Sequence, residues 1–186
     1  MSGEVGRARV LQFSPEQQAF TATVAVPGRE PGSIVARPDG DDAYVSTGNG
    51  LVHLDTSDET PVVANTIAVP GAFLALSPDD TRLYGVGGSK DYVVDLANDT
   101  VTATMDIAPG QQLRDPSVSA DGTRLYMVQL SSDSGKTSVL SLDTSTNTLV
   151  PAEGVTGLDR VTSLAVGPDA HTFYVTVGAG LRITGF

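Results

Sequence analysis

Apolar and polar side chains alternate through most of this chain in runs of about four to eight residues, each closed by a cluster of Gly, Asp, Pro, Ser or Thr. A period of two sends successive side chains to opposite faces of a strand, and the runs are rich in the β-branched residues that suit a pleated sheet. No window of about eleven residues keeps a 3.6-residue apolar stripe, so helices are not expected. The pattern predicts strands over residues 33–36, 43–46, 51–54 and 62–69, then 73–76, 82–86, 92–95 and 101–107, then 117–118, 124–128, 138–142 and 147–150. Strands over 8–13 and 20–26 precede these, and strands over 161–166, 172–177 and 181–186 follow them.

The strands fall into sets because one phrase recurs. Arg37-Pro38-Asp39-Gly40-Asp41-Asp42-Ala43-Tyr44 returns as Ser77-Pro78-Asp79-Asp80-Thr81-Arg82-Leu83-Tyr84, as Ser119-Ala120-Asp121-Gly122-Thr123-Arg124-Leu125-Tyr126 and as Gly167-Pro168-Asp169-Ala170-His171-Thr172-Phe173-Tyr174. The tyrosines stand 40, 42 and 48 residues apart. Self-similarity at this period, in short strands and tight turns, predicts an all-β protein of antiparallel four-stranded blades, a β-propeller. The third strands run into Asp55-Thr56-Ser57, Asp95-Leu96-Ala97-Asn98 and Asp143-Thr144-Ser145, where a short polar side chain bonds back to the backbone; these aspartates read as turn residues.

The ends of the chain are out of phase with the repeat. The first two strands read as a third and a fourth, and the last three as a first, a second and a third. Side by side they complete one blade with a strand left over. About four blades closed by the N- and C-terminal strands are therefore expected, in one domain over 1–186 with a disordered tail over 1–7. The alternative is half of a larger ring completed by a second chain.

The Pro-Asp-Gly turn, the strand around each tyrosine, the Asp-Thr-x-x-Asn turn and the Thr-x-x-Val strand after it resemble the YVTN/YncE-type repeat of the lactonase-like β-propeller superfamily. The family's Tyr-Val-Thr-Asn string stands here as Tyr44-Val45-Ser46-Thr47, Tyr84-Gly85-Val86-Gly87, Tyr126-Met127-Val128-Gln129 and Tyr174-Val175-Thr176-Val177. The resemblance spans residues 8–186. It implies rings of about seven blades, of which this chain holds little more than half. It also implies that the loops from fourth to next first strand, and from second to third strand, share one ligand-binding face. It carries over no catalytic residue.

Charge and composition narrow the chemistry. Eleven Lys and Arg against twenty-two Asp and Glu give a net charge of −11, which argues against nucleic acid and anionic membranes as partners. Without cysteine there is no disulfide, thiolate nucleophile or cysteine metal site. His53 and His171 are the only imidazoles and are not spaced as a metal pair, and no Gly-x-Ser-x-Gly elbow occurs. Asp39-Gly40-Asp41-Asp42 lacks the remaining ligands of a calcium loop, and Gly85-Val86-Gly87 lies in a hairpin with no helix behind it. No metal and no cofactor are expected. The segment Met1 to Arg7 has no apolar h-region, and eighteen apolar residues never run together. The chain as written therefore reads as cytoplasmic and soluble, or as secreted or periplasmic if a signal peptide has been removed; its composition fits a bacterial source.

The implied binding face selects the loops 28–31, 70–73, 110–115 and 157–160. Three carry an acid beside an arginine: Arg29 with Glu30, Arg114 with Asp115, and Asp159 with Arg160. Such pairs either form salt bridges between blades or clamp a polar ligand. In the second case Arg29, Arg114 and Arg160 hold carboxylate or enolate oxygens, and Glu30, Asp115 and Asp159 transfer protons. Phe73 adds an apolar wall, and Lys90 and Lys136 reach an anion from the outer loops, of which 131–137 is the longest. Two functions follow. One is an acidic binding module that holds a small molecule or a protein segment on its loop face. The other is a cofactor-free enzyme of lyase, isomerase, cyclase or lactonase type acting on a polar metabolite, cyclic ones included. Either works as a monomer or as a strand-exchanged homodimer.

Overall fold

In the computed structural model of the protein, residues 8–87, 90–151, 158–169, 172–178 and 180–185 are described; the expected tail over 1–7, and His171, lie outside them. The chain divides into two compact units, Met1–Ala72 and Phe73–Phe186. In the first, β1 (Ala8–Ser14) pairs with β2 (Ala19–Val26), and β3 (Ile34–Ala36), β4 (Asp42–Thr47), β5 (Gly50–Asp55) and β6 (Val62–Ile67) form a four-stranded sheet in sequence order. The two sheets pack through Ala8 and Val26 on one side and Ala43, Val45, Val52 and Leu54 on the other.

The second unit holds three sheets. The strands β7 (Phe73–Leu76), β8 (Arg82–Val86), β9 (Lys90–Asp95) and β10 (Thr100–Asp106) form one. The next joins β11 (Gln111–Val118), β12 (Arg124–Ser131), β13 (Lys136–Asp143) and β14 (Thr148–Pro151), with β15 (Leu158–Asp159) also paired to β13. The third joins β16 (Val161–Val166), β17 (Thr172–Val177) and β18 (Gly180–Gly185). All pairings are antiparallel. Val86, Val93, Leu113, Met127 and Leu142 fill the space between the first two sheets, and Val128, Val139, Val161, Phe173 and Val175 that between the last two. Burying each such side chain contributes about 1.5–3 kcal/mol. No helix among the described residues is long and apolar enough to cross a membrane.

The recurring phrase forms one recurring turn. The backbone N–H groups of Arg37, Ser77, Ser119 and Gly167 donate to the carbonyls of Asp42, Arg82, Arg124 and Thr172 at 2.9, 2.9, 2.8 and 2.7 Å. Asp55, Asp95 and Asp143 accept the N–H groups of Ser57, Ala97 and Ser145, each holding the turn after its third strand.

The third blade set departs from the expected boundaries. Strand β11 starts at Gln111 rather than at 117, because Gln111 to Arg114 pair with Ser131 to Val128 on a lengthened β12. A bulge between Arg114 and Ser117 accommodates Pro116, which has no N–H to give to the ladder. The segment 110–115 is thus mostly strand and not loop, the loop 131–137 shrinks to the turn between β12 and β13, and Leu158 and Asp159 pair with Thr137 and Lys136. Gln and Arg carry no strand signal of their own; a longer partner supplies the ladder.

Candidate functional site

Where a hairpin between second and third strands meets the following inter-sheet connection, a buried hydroxyl ties the two together. The Ser46 Oγ accepts the N–H of Ala72 at 2.7 Å, and the neighbouring Thr47 hydroxyl donates to the Gly50 carbonyl at 3.0 Å. In the second unit the Thr137 hydroxyl donates to the Leu158 carbonyl and accepts the N–H of Val161, both at 3.0 Å. Each of these buried oxygens has its partner.

At the hairpin between β8 and β9 a carboxylate stands instead, and it is only half satisfied. Four residues before the turn aspartates Asp55 and Asp143 stand Leu51 and Val139, both buried; four before Asp95 stands Asp91, which is 1% exposed. Strand alternation places Asp91 on the face of Val93, which packs with Val86 and Leu113. The Asp91 Oδ1 accepts the N–H of Gly87 at 3.0 Å, while the buried Oδ2 has no hydrogen-bond partner among the described residues. Burial pushes the carboxyl up to about 6, with the Gly87 bond pulling weakly the other way.

Gly87 links this carboxylate to its surroundings. Its φ of 115° is open to glycine and strained for other residues, and a Cβ there would lie 3.1 Å from the Leu113 carbonyl oxygen and 3.5 Å from the Phe73 ring. Phe73 is 44% exposed at the start of β7. Asp91, Gly87, Leu113 and Phe73 thus place an unsatisfied acid, a backbone carbonyl and an exposed aromatic ring around one glycine.

The residues singled out from the sequence fall in different settings. Arg29 and Glu30 are exposed in the first unit, and Glu30 has φ 55°. Arg160, exposed with φ 50° in the second unit, occupies the matching place, nine residues before its turn aspartate. The Arg29 and Arg160 carbonyls accept the N–H groups of Gly48 and Gly178 at 2.8 and 3.2 Å, so their backbones brace the adjacent hairpins. The Arg114 and Asp115 pair sits three residues further along its repeat, inside β11. The Arg114 Nη2 donates to the Val161 carbonyl at 2.5 Å, its Nε lies 3.7 Å from the Asp115 Oδ2, and the guanidinium ties β11 to β16. The Lys90 ammonium is 3.0 Å from Asp106, and the Lys136 side chain is exposed. Asp159 is described only through its backbone, in register with Lys136. Phe73 and Asp91 are both related to Gly87, the first by a ring 3.5 Å from its Cβ position and the second by accepting its N–H. The alternation pattern alone does not single out Asp91; alignment of the repeats on Asp55, Asp95 and Asp143 does, as a carboxylate in an apolar column.

The concavities in the two units hold less reactive groups. A cleft of about 330 Å³ in the second unit is lined by Ser77, Asp79, Arg82, Tyr84 and Asp121. Its carboxylates hold their own turns: the Ser77 and Ser119 hydroxyls donate to Asp79 and Asp121 at 2.5 and 2.6 Å, and these bonds keep both carboxyls below their usual range. The Arg82 Nη1 donates to the Thr144 carbonyl at 2.9 Å. In the first unit a groove of about 310 Å³ between β1 and β3 is lined mainly by Val10, Leu11, Ile34 and Val45. Among the described residues no three His, Asp or Glu side chains are grouped to hold a metal ion.

No protein-family model and no curated protein sequence matches the chain. Solved structures do. The hydrazine synthase of Kuenenia stuttgartiensis superposes with a TM-score of 0.78 at 20% identity, over 90% of this chain and 49% of that one. A functionally unknown protein from Desulfotomaculum acetoxidans gives 0.76 at 16% identity, over 95% and 58%, and a 6-phosphogluconolactonase-like protein from Bacteroides uniformis gives 0.70 at 10% identity, over 94% and 59%. At such identities the likeness shows the fold alone: the chain is an all-β protein of antiparallel β-propeller blades. It spans about half the length of the structures it matches.

Proposed function

We propose that this chain is a lactonase-like propeller module that binds a small polar molecule at the β8–β9 hairpin, with Asp91 as the anchoring group. The observation that carries the reading is the buried Asp91 Oδ2 without a partner. Buried polar atoms are almost always hydrogen-bonded, and an exception asks for a donor from outside the chain. Ser46 and Thr137, at the corresponding junctions of the other sheets, satisfy their neighbours and leave nothing to offer. Phe73 supplies an exposed apolar surface next to Gly87, whose N–H the acid holds, and Arg114 and Asp115 follow Leu113 on β11.

A second reading rests on the same carboxyl. A group raised to about 6 takes and returns a proton near neutral pH, which fits the cofactor-free lyase, isomerase, cyclase or lactonase chemistry of the alternative. Asp91 then acts as the base, in place of or together with Asp115 of the same unit. The test is a screen of polar metabolites by thermal shift and native mass spectrometry, on the wild type and on Asp91→Asn and Asp115→Asn. The binding reading expects ligands lost in Asp91→Asn and kept in Asp115→Asn, with no conversion. Turnover that Asp91→Asn abolishes establishes the enzyme, and ligands indifferent to Asp91 overturn the site.

A further inference from the structure

Resting on the binding site just described, we infer that its ligand is a small organic cation, an ammonium or amidinium whose charged N–H meets the Asp91 carboxylate while its carbon body lies against Phe73. An uncharged hydroxyl would also satisfy the Oδ2, so the argument for charge comes from the surroundings. Among the described residues no cation pairs with Asp91: the Lys90 ammonium engages Asp106 at 3.0 Å, and the Arg114 guanidinium engages the Val161 carbonyl at 2.5 Å. Burial pushes the carboxyl up to about 6, and in its ionised form it is a charge with no described cation beside it on the face of Val93. An incoming cation relieves that charge, and a neutral donor relieves only the missing hydrogen bond.

Two further features discriminate among cations. A bare metal ion asks for several oxygens, and no three carboxylate or imidazole groups gather among the described residues. An organic cation needs one carboxylate and an apolar surface, and it gains from an aromatic face within about 6 Å. The exposed Phe73 ring, 3.5 Å from the Cβ position of Gly87, is such a face, and Gly87 is the residue whose N–H the same carboxylate holds. The Leu113 carbonyl, 3.1 Å from that position, adds an acceptor and no donor. Among the described residues, acceptors and an aromatic ring, with Lys90 and Arg114 engaged by Asp106 and Val161, disfavour anions. The net charge of −11 attracts cations to the surface and speeds their arrival.

The experiment is calorimetric titration of the full chain with n-butylammonium, benzamidinium, 1-butanol and butyrate, in wild type, Asp91→Asn and Phe73→Leu. The expected result is binding of both cations, weakened about tenfold or more in Asp91→Asn and about twofold to fivefold in Phe73→Leu, with butanol and butyrate silent. Butanol binding as well as butylammonium, with Asp91→Asn tolerated, overturns the cation inference and leaves a binding module standing. No binding by these probes, together with an empty metabolite screen, removes both. Should Asp91→Asn fail to fold, the carbon-13 shift of the wild-type Asp91 carboxyl is the readout: movement with butylammonium and not with butanol supports the inference, and no movement overturns it.

Discussion

The ring of Tyr92 lies over Gly85, its partner across the β8–β9 pairing: a Cβ on Gly85 would fall 2.1 Å from the Tyr92 Cζ. The same position of two other sheets pairs Val45 with Val52 and Met127 with Leu140, so here a large and an absent side chain replace two apolar side chains of intermediate size. Tyr92 is 1% exposed and has no room to retreat. Gly85→Ala is expected to destabilise the protein by about 1–3 kcal/mol, read from urea midpoints. Gly85→Ala combined with Tyr92→Leu should recover part of that loss, because the two residues share one volume. Strict additivity would show that the ring and the glycine are independent.

Asp91 makes stability depend on pH in a direction opposite to most carboxylates. Its folded carboxyl titrates at about 6 against about 3.9 in an unfolded chain, so between those values the folded state holds the extra proton. The protonated form is the compatible one: stability from this residue is present at low pH and disappears as pH rises through about 6. Asp91→Asn removes the buried charge while keeping an acceptor for the Gly87 N–H, and should stabilise the protein by about 2–3 kcal/mol at pH 7.5 and by only about 1 kcal/mol at pH 4.5. Taking the variant-minus-wild-type difference in thermal midpoint at each pH isolates Asp91, because every other ionisable group is common to the two proteins. A loss of stability equal at both pH values would make Asp91 a plain turn cap.

Arg114 separates a structural from a ligand-holding role. Arg114→Ala removes its bond to the Val161 carbonyl and is expected to cost about 1–2 kcal/mol, with Arg114→Lys recovering little because a single ammonium does not match the guanidinium fork. Cation binding at Asp91 should persist in Arg114→Ala. Lost binding with an unchanged urea midpoint would return Arg114 to the ligand.

In the first unit, Asp42 receives the Arg37 Nη1 at 2.8 Å and lies 2.7 Å from the His53 Nε2, and the His53 ring stacks on Tyr44 at 4.6 Å. Burial works against the Asp42 charge, but the His53 and Arg37 bonds outweigh it and hold the carboxyl below its usual range. A depressed carboxyl adds stability above its unfolded value, near 4, and loses it as pH falls further. Asp42→Asn should therefore lower stability by about 1 kcal/mol at pH 7, with the difference narrowing at pH 3. Thermal melts at the two pH values decide it; an unchanged difference would mean that charge plays no part.

Strand existence was legible because alternation is local. The predicted 73–76, 82–86, 161–166 and 172–177 coincide with β7, β8, β16 and β17. So was the role of Asp55, Asp95 and Asp143, since an aspartate that bonds two residues ahead needs no distant partner. Legibility failed at β11 and β15, where Gln111 to Arg114 and Leu158 to Asp159 become strand only because β12 and β13 extend alongside them.

The candidate site divides the same way. Phe73 could be placed on the loop face from the repeat, and the Arg114 and Asp115 pair could be read as an inter-blade tie or as a ligand clamp. Only the packed sheets decide that the Arg114 guanidinium reaches a carbonyl of β16, and that Asp91 stands buried with one oxygen unanswered. Alternation and turn chemistry depend on neighbours within a few residues, so the chain by itself determined the strands, the repeated turn and the blade. Burial and hydrogen-bond satisfaction depend on residues dozens of positions away, as Arg114 and Val161 do, and the tertiary structure alone decided that the Asp91 Oδ2 is buried with no hydrogen-bond partner among the described residues.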